Sequence, residues 1–183
     1  MSEQAAPQRF GTVAIALHWI VAGAVVGTVA LALYLDTLEL GETKNLMLTA
    51  HKSVGLTILA LMALRVVWRL THRAPPLPAT MTAWQRWAAQ ATHIFLYVIA
   101  LAMPVTGYMS VAARGRETTF FGLFRVPEIV PLDRALSNLS ENLHTNGQYV
   151  LYALVGAHVA GALYHHFIAK DDILRRMWPQ GRR

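Results

Sequence analysis

The 183-residue chain contains no cysteine. That excludes disulfides, thiolate-bound metal centres, and covalent attachment of a prosthetic group through C-x-x-C-H. Charge is also scarce: Asp, Glu, Lys and Arg make up 14% of the residues, against about 25% in a soluble globular domain. The deficit is concentrated in Phe10 to Leu35, Trp87 to Ala113 and Asn142 to Ala169, which hold no charged residue. Each run is longer than the ~20 residues that cross a hydrocarbon core. A fourth stretch, Leu46 to Leu70, carries Lys52 near its start and Arg65 and Arg69 near its end. Long basic side chains at those places reach the interface, so it counts as a span.

Four spans use most of the chain, and the expected fold is all-α. It is an integral membrane four-helix bundle, a single domain over residues 1–183 with helices at about 13–34, 46–70, 82–112 and 141–168. The first segment is too long for a signal-peptide core and is read as a retained helix. The N-terminal segment, the loop after the second helix and the tail carry ten basic and three acidic residues, and the opposite side six basic and seven acidic. The positive-inside rule therefore places both termini in the cytoplasm. The sequence pI of about 10.1 reports this topology rather than nucleic-acid binding.

Gly23 and Gly27 form a small-xxx-small pair in the first helix, expected to admit a close helix neighbour. "APPLPAT" ends the second helix, since proline cannot extend one. Pro104 and Gly107 predict a bend in the third. Between the third and fourth helices, "TTFFGLF" is expected at the membrane surface and "PLDRALSNLSENL" as a helical lead-in.

Against this apolar background stand eight histidines. His144, His158 and His165 are spaced by fourteen and seven residues, which on a helix returns them to within about 40° of one face, roughly 21 and 10 Å apart along the axis. His51 opens the second helix at the depth of His144. His18 and His93 lie near the depth of His158, whereas His72 belongs to the cytoplasmic loop. Buried intramembrane imidazoles are costly and mark functional sites. An outer pair and an inner set point to ligation of a metal that imidazole suits, namely zinc, copper or iron. No carboxylate lies within a span to complete a zinc site. Two imidazoles in an apolar surround suit haem b, and small residues beside the ligands, such as Gly55, Gly147 and Gly161, would make room for a flat macrocycle. By that criterion His18, flanked by Ala14 and Ala22, is a better partner for His158 than His93 is.

The segments "ALHWIVAG", "LTAHKSVGLTILALMALRVVWRL", "THIFLYVIALAMPVTG" and "LHTNGQYVLYALVGAHVAGALYHHFIAKDDILRRM" resemble the four helices of the bacterial cytochrome b561 family, whose relatives include the cytochrome b subunits of nickel–iron hydrogenases. The likeness spans Arg9 to Met177 and includes the histidine positions. It implies two haem b groups, one held by His18 and His158 toward the cytoplasm and one by His51 and His144 toward the periplasm. The short chain resembles the free-standing member that oxidises superoxide outside and reduces ubiquinone inside, in the bacterial inner membrane.

With two histidines per iron the haems only pass electrons. At the inner end, His165 and His93 are the candidates to contact quinone, and Arg65 and Arg69 to pair with haem propionates. At the outer end, Lys52, Arg114 and Arg116 are candidates to attract superoxide. The competing expectation is an electron-transfer subunit docked on a periplasmic redox enzyme such as a hydrogenase. The short outer loops favour a chain that works with lipid, quinone and superoxide and requires no protein partner.

Overall fold

A computed structural model describes residues 9–78 and 80–179; Glu3, Arg182 and Arg183 of the charge count lie outside them. Four long helices dominate: α1 Thr12–Thr37, α2 Glu42–Thr71, α3 Ala83–Ala112 and α4 Arg134–Tyr164. The first three are each long and apolar enough to cross a membrane. The fourth, at 31 residues, has the length to do so, with its charged residues confined to its first two turns. The protein is a helical membrane bundle, as the sequence predicts.

The boundaries differ from the hydropathy reading at the polar ends. α2 starts four residues earlier than expected, because the "ETKN" turn continues the helix beyond its apolar part and places Glu42 at the positive end of the helix dipole. α4 starts seven residues earlier, because Asp133 accepts a hydrogen bond from the Leu136 N–H at 3.0 Å and caps the first turn. Its α-helical part ends at Tyr164 rather than 168, where a π-turn, His165–Ala169, begins. A short helix α5, Ile173–Arg176, follows.

The helices pack in chain order, α1 on α2, α2 on α3 and α3 on α4. Among the described residues neither α1 nor α2 packs its backbone against α4, so a slot separates α4 from that pair. The core is correspondingly small: Val21, Ile58 and Met62 are buried, with Ala24, Val25, Val54, Leu61, Tyr97, Ala100 and Leu101 packed around them. Outward residues such as Ile20, Val26, Ile94 and Val98 are exposed and are left for lipid to cover.

Gly23 and Gly27 do not serve as a helix contact: a Cβ at either would meet nothing within 4 Å. The α1 residues packed on α2 are Val21, Ala24 and Val25, and both glycines lie off that stripe. The close approach occurs instead between α3 and α4. There a Cβ on Gly147 would come within 2.8 Å of Met103 Sδ and one on Gly107 within 2.9 Å of the His144 ring.

The "TTFFGLF" segment forms a small antiparallel hairpin, β1 Thr119–Phe120 with β2 Phe124–Arg125. Its tip has positive φ at Phe121 (49°) and Gly122 (74°), the twist a tight hairpin requires. The fully buried Ser53 hydroxyl accepts the Phe121 N–H at 2.7 Å. The hairpin is thereby fastened to α2 two residues from His51. At the opposite end the C-terminal segment crosses the bundle: Trp19 Nε1 donates to Met177 O at 2.7 Å, Arg9 to Trp178 O at 2.8 Å, and Arg176 to Pro76 O at 2.7 Å.

Candidate functional site

Two pairs of imidazoles face each other across the slot beside α4. Toward the outer end, His51 of α2 and His144 of α4 have ring centroids 6.2 Å apart with planes at 86°. Toward the inner end, His18 of α1 and His158 of α4 lie 6.0 Å apart at 70°. His93 of α3 approaches His158 more closely, at 5.3 Å, on the α3 face that also carries Ala100 and Gly107.

These separations can be compared with the needs of a shared metal. A metal–imidazole bond of about 2.0 Å, with the ring centre about 1.2 Å beyond the nitrogen, puts two opposed ring centroids about 6.4 Å apart. The two pairs across the slot come within half an ångström of that value. His93 and His158 stand about an ångström too close.

The local chemistry of the outer pair is specific. His144 Nδ1 lies 2.8 Å from the Met103 carbonyl. A carbonyl only accepts, so Nδ1 carries the proton and Nε2 of the neutral ring keeps its lone pair free to bind a metal. Gly107, one turn beyond Met103, makes this possible, since any side chain there would occupy the ring's position. His51 Nδ1 has the Thr28 hydroxyl at 3.2 Å, which can accept the same proton. In the inner pair the buried His18 Nδ1 has no hydrogen-bond partner among the described residues, and the Trp19 ring lies edge-on to His18 at 5.3 Å.

The donor set limits the metal. A zinc site takes at least three protein ligands, and no group of three or more His, Cys, Asp or Glu able to hold an ion occurs among the described residues. Two imidazoles per site suit a metal whose remaining positions a macrocycle fills. Gly161, three residues past His158 on α4, has open space beside it. Gly147 does not supply such room, because it is the seat of Met103; Gly55 faces Pro104 at 4.0 Å.

Residues 9–180 match the family described as prokaryotic cytochrome b561. The chain belongs to that family. It is 35% identical over 179 residues to cytochrome b561 homolog 2 of Escherichia coli K12, covering 97% of this chain and 95% of the relative. To cytochrome b561 homolog 1 of the same organism it is 34% identical over 173 residues, covering 94% and 98%. A probable superoxide oxidase CybB of Yersinia pestis is 26% identical over 175 residues, covering 96% and 98%. As a cytochrome b561 the chain is a bacterial membrane protein that uses haem b to move electrons across the membrane.

The remaining residues singled out from the sequence fall at the two ends of the cytochrome. At the outer end Lys52 Nζ donates to Glu117 O at 3.5 Å. Arg114 is engaged by Asn138 and ion-paired with Glu141, so its charge is largely spent. Arg116 and Arg134 make no side-chain hydrogen bond or ion pair among the described residues and line one open groove with Arg114, Asp133 and Asn138. At the inner end Arg65 Nε donates to the Tyr97 hydroxyl at 3.1 Å, with the guanidinium carbon 5.4 Å from the Tyr97 ring centre. Arg69 lies in the last turn of α2. His72 leaves the helix to stack on Trp68 at 3.7 Å. His165 bonds Asp171 through Nδ1···Oδ2 at 2.5 Å.

Several of these partners were not read from the sequence. In the sequence Asp171 is one tail charge among several, and nothing marks Thr28, Ser53 or the Met103 carbonyl. A hydroxyl one helix away from a histidine, or a backbone carbonyl, leaves no periodic trace. Asp171 is six residues from His165 and comes into reach only because the π-turn folds the chain back.

Proposed function

We propose that His18 with His158 and His51 with His144 hold two haem b groups, inner and outer, in one single-domain cytochrome of the bacterial inner membrane, and that it oxidises superoxide outside and reduces ubiquinone inside. The observation that carries this reading is the pair of imidazole couples at 6.0 and 6.2 Å, stacked at two depths. Haem b held by these four histidines would supply reversible one-electron carriage.

The residues of the chain do the rest. The Met103 carbonyl and the Thr28 hydroxyl hold the outer rings by Nδ1, as hydrogen-bonded partners of metal-bound histidines do. Lys52 and Arg116 supply local positive charge for an anionic donor on a side whose overall balance is slightly negative. His93 stands beside His158, its ring 5.3 Å away, as a candidate contact for quinone, and His165 lies further toward the cytoplasmic end on the same stripe. Arg65 and Arg69, toward the inner end of α2, are the groups that would pair with propionates. The name of the Yersinia pestis relative supports the superoxide assignment, while the two Escherichia coli relatives carry the family name alone.

Stopped-flow mixing tests the reading. Superoxide should reduce the haems of the isolated protein, and ubiquinone-1 should reoxidise them with no added protein. Reduction only in the presence of a stoichiometric redox partner would establish a docking subunit instead.

A further inference from the structure

Resting on the reading that quinone is reduced at the inner end, we infer that Asp171 is a positioning residue that makes His165 the proton donor of that site. Three contacts build the pair. His165 Nδ1 donates to Asp171 Oδ2 at 2.5 Å, with side chains only 12% and 14% exposed. The Asp171 N–H returns to the His165 carbonyl at 3.1 Å. The second carboxylate oxygen of Asp171 accepts the Ile173 N–H at 3.1 Å, at the start of α5. The π-turn creates this closure: Lys170 takes the left-handed conformation (φ 52°) and its N–H also reaches the His165 carbonyl. Single π-turns of this kind are commonly found at functional sites.

The consequence is chemical. A carboxylate only accepts, so Nδ1 keeps its proton and the ring exchanges protons through Nε2 alone. When Nε2 is protonated the ring is an imidazolium with its counter-ion fixed beside it. The other charged groups nearby are already committed or point outward. Asp172 pairs with Arg176 at 2.9 Å, Arg176 also binds Pro76 O, and Lys170 and Arg175 are exposed. Tyr164 lies edge-on at 5.5 Å, with His166 and Lys170 flanking in the chain.

Reduction of ubiquinone to quinol takes two electrons, from two superoxide ions that leave as dioxygen, and two protons. One proton moves from Nε2 to a quinone oxygen, breaking N–H as O–H forms, and cytoplasmic water restores it; the second comes from water. An Asp–His couple used this way resembles the general-acid arrangements in which a carboxylate orients the ring that moves the proton.

The test uses the full haem-loaded protein, reduced in advance, and compares wild type, Asp171→Asn, Asp171→Glu and His165→Ala. Reoxidation by ubiquinone-1 should slow roughly tenfold in Asp171→Asn and about 100-fold in His165→Ala, in line with general-acid contributions. The solvent deuterium isotope effect should rise in both, added imidazole should restore part of the His165→Ala rate, and Asp171→Glu should recover most of the loss. Oxidation by ferricyanide, which takes no proton, should be the same in all four. If ferricyanide oxidises the wild type and ubiquinone-1 does not, the quinone reading fails and this inference with it. If ubiquinone-1 works and the variants match wild type in rate and isotope effect, the role of Asp171 alone is overturned. A variant slowed equally toward ferricyanide is structurally damaged, which also overturns the assignment.

Discussion

Gly107→Ala should release the outer haem while sparing the inner one, though residue 107 is no ligand. A Cβ there would sit 2.9 Å from His144 Cε1 and 3.0 Å from Nδ1. Ordinary contact begins near 3.4 Å, so the ring must retreat by about half an ångström. Its Nδ1···O bond to Met103, now 2.8 Å, would then stretch to about 3.3 Å, past the usual range. Losing that bond costs about 1 kcal/mol and the overpacking about 2 kcal/mol. The higher helix propensity of alanine returns about 1 kcal/mol. The net of about 2 kcal/mol corresponds to roughly a thirtyfold weaker outer site. Gly147→Ala is the control on the same interface. Its Cβ would meet Met103 Sδ at 2.8 Å, the movable end of a flexible thioether that can turn aside. Haem per protein by pyridine haemochrome, with a potentiometric titration of the reduced spectrum, separates the cases. Gly107→Ala should titrate as one haem at limiting haem supply and Gly147→Ala as two. Two haems at unchanged potentials in Gly107→Ala would refute the argument that His144 is seated against α3 as a ligand.

The remaining expectations are simpler. His51→Ala or His144→Ala should lose the outer haem and keep the inner one, with His18→Ala or His158→Ala doing the reverse; pigment analysis showing any other pattern breaks the pairing. His93→Ala should keep both haems, because its ring is too near His158 to share a metal, and should slow reoxidation by ubiquinone; a lost haem would make it a ligand. Ser53→Ala leaves the Phe121 N–H without its acceptor and should cost about 1–3 kcal/mol, read as a lower Tm and faster proteolysis between residues 118 and 126. Arg116→Glu should slow haem reduction by superoxide at low salt and converge with wild type at high salt; a salt-independent defect would count against steering.

The four helices were legible because the charge-free runs are long and lipid leaves little freedom in what spans it. The histidine layers were legible because helical periodicity converts spacing into depth and direction. Where hydropathy was silent, boundaries moved: Asp133 extends α4 outward by a cap, and the π-turn at His165 shortens its inner end. The glycines show the limit most clearly. Gly23 and Gly27 have the spacing of a packing motif but face open space, because α1 packs through Val21 and Ala24. Gly107, set beside a proline and read only as part of a bend, proves to be the seat of a histidine. The hairpin at Phe121 and Gly122 and the closure at Lys170 that joins Asp171 to His165 depend on left-handed residues and tertiary hydrogen bonds, which have no periodic signature.

The most direct test of the central claim is a haem count with low-temperature electron paramagnetic resonance on the purified, oxidised chain. Two low-spin bis-histidine haem b signals per chain, with sharp α-bands on reduction, are predicted. A colourless protein, a single haem, or a high-spin signal from an iron with an open axial position would contradict the two imidazole clamps.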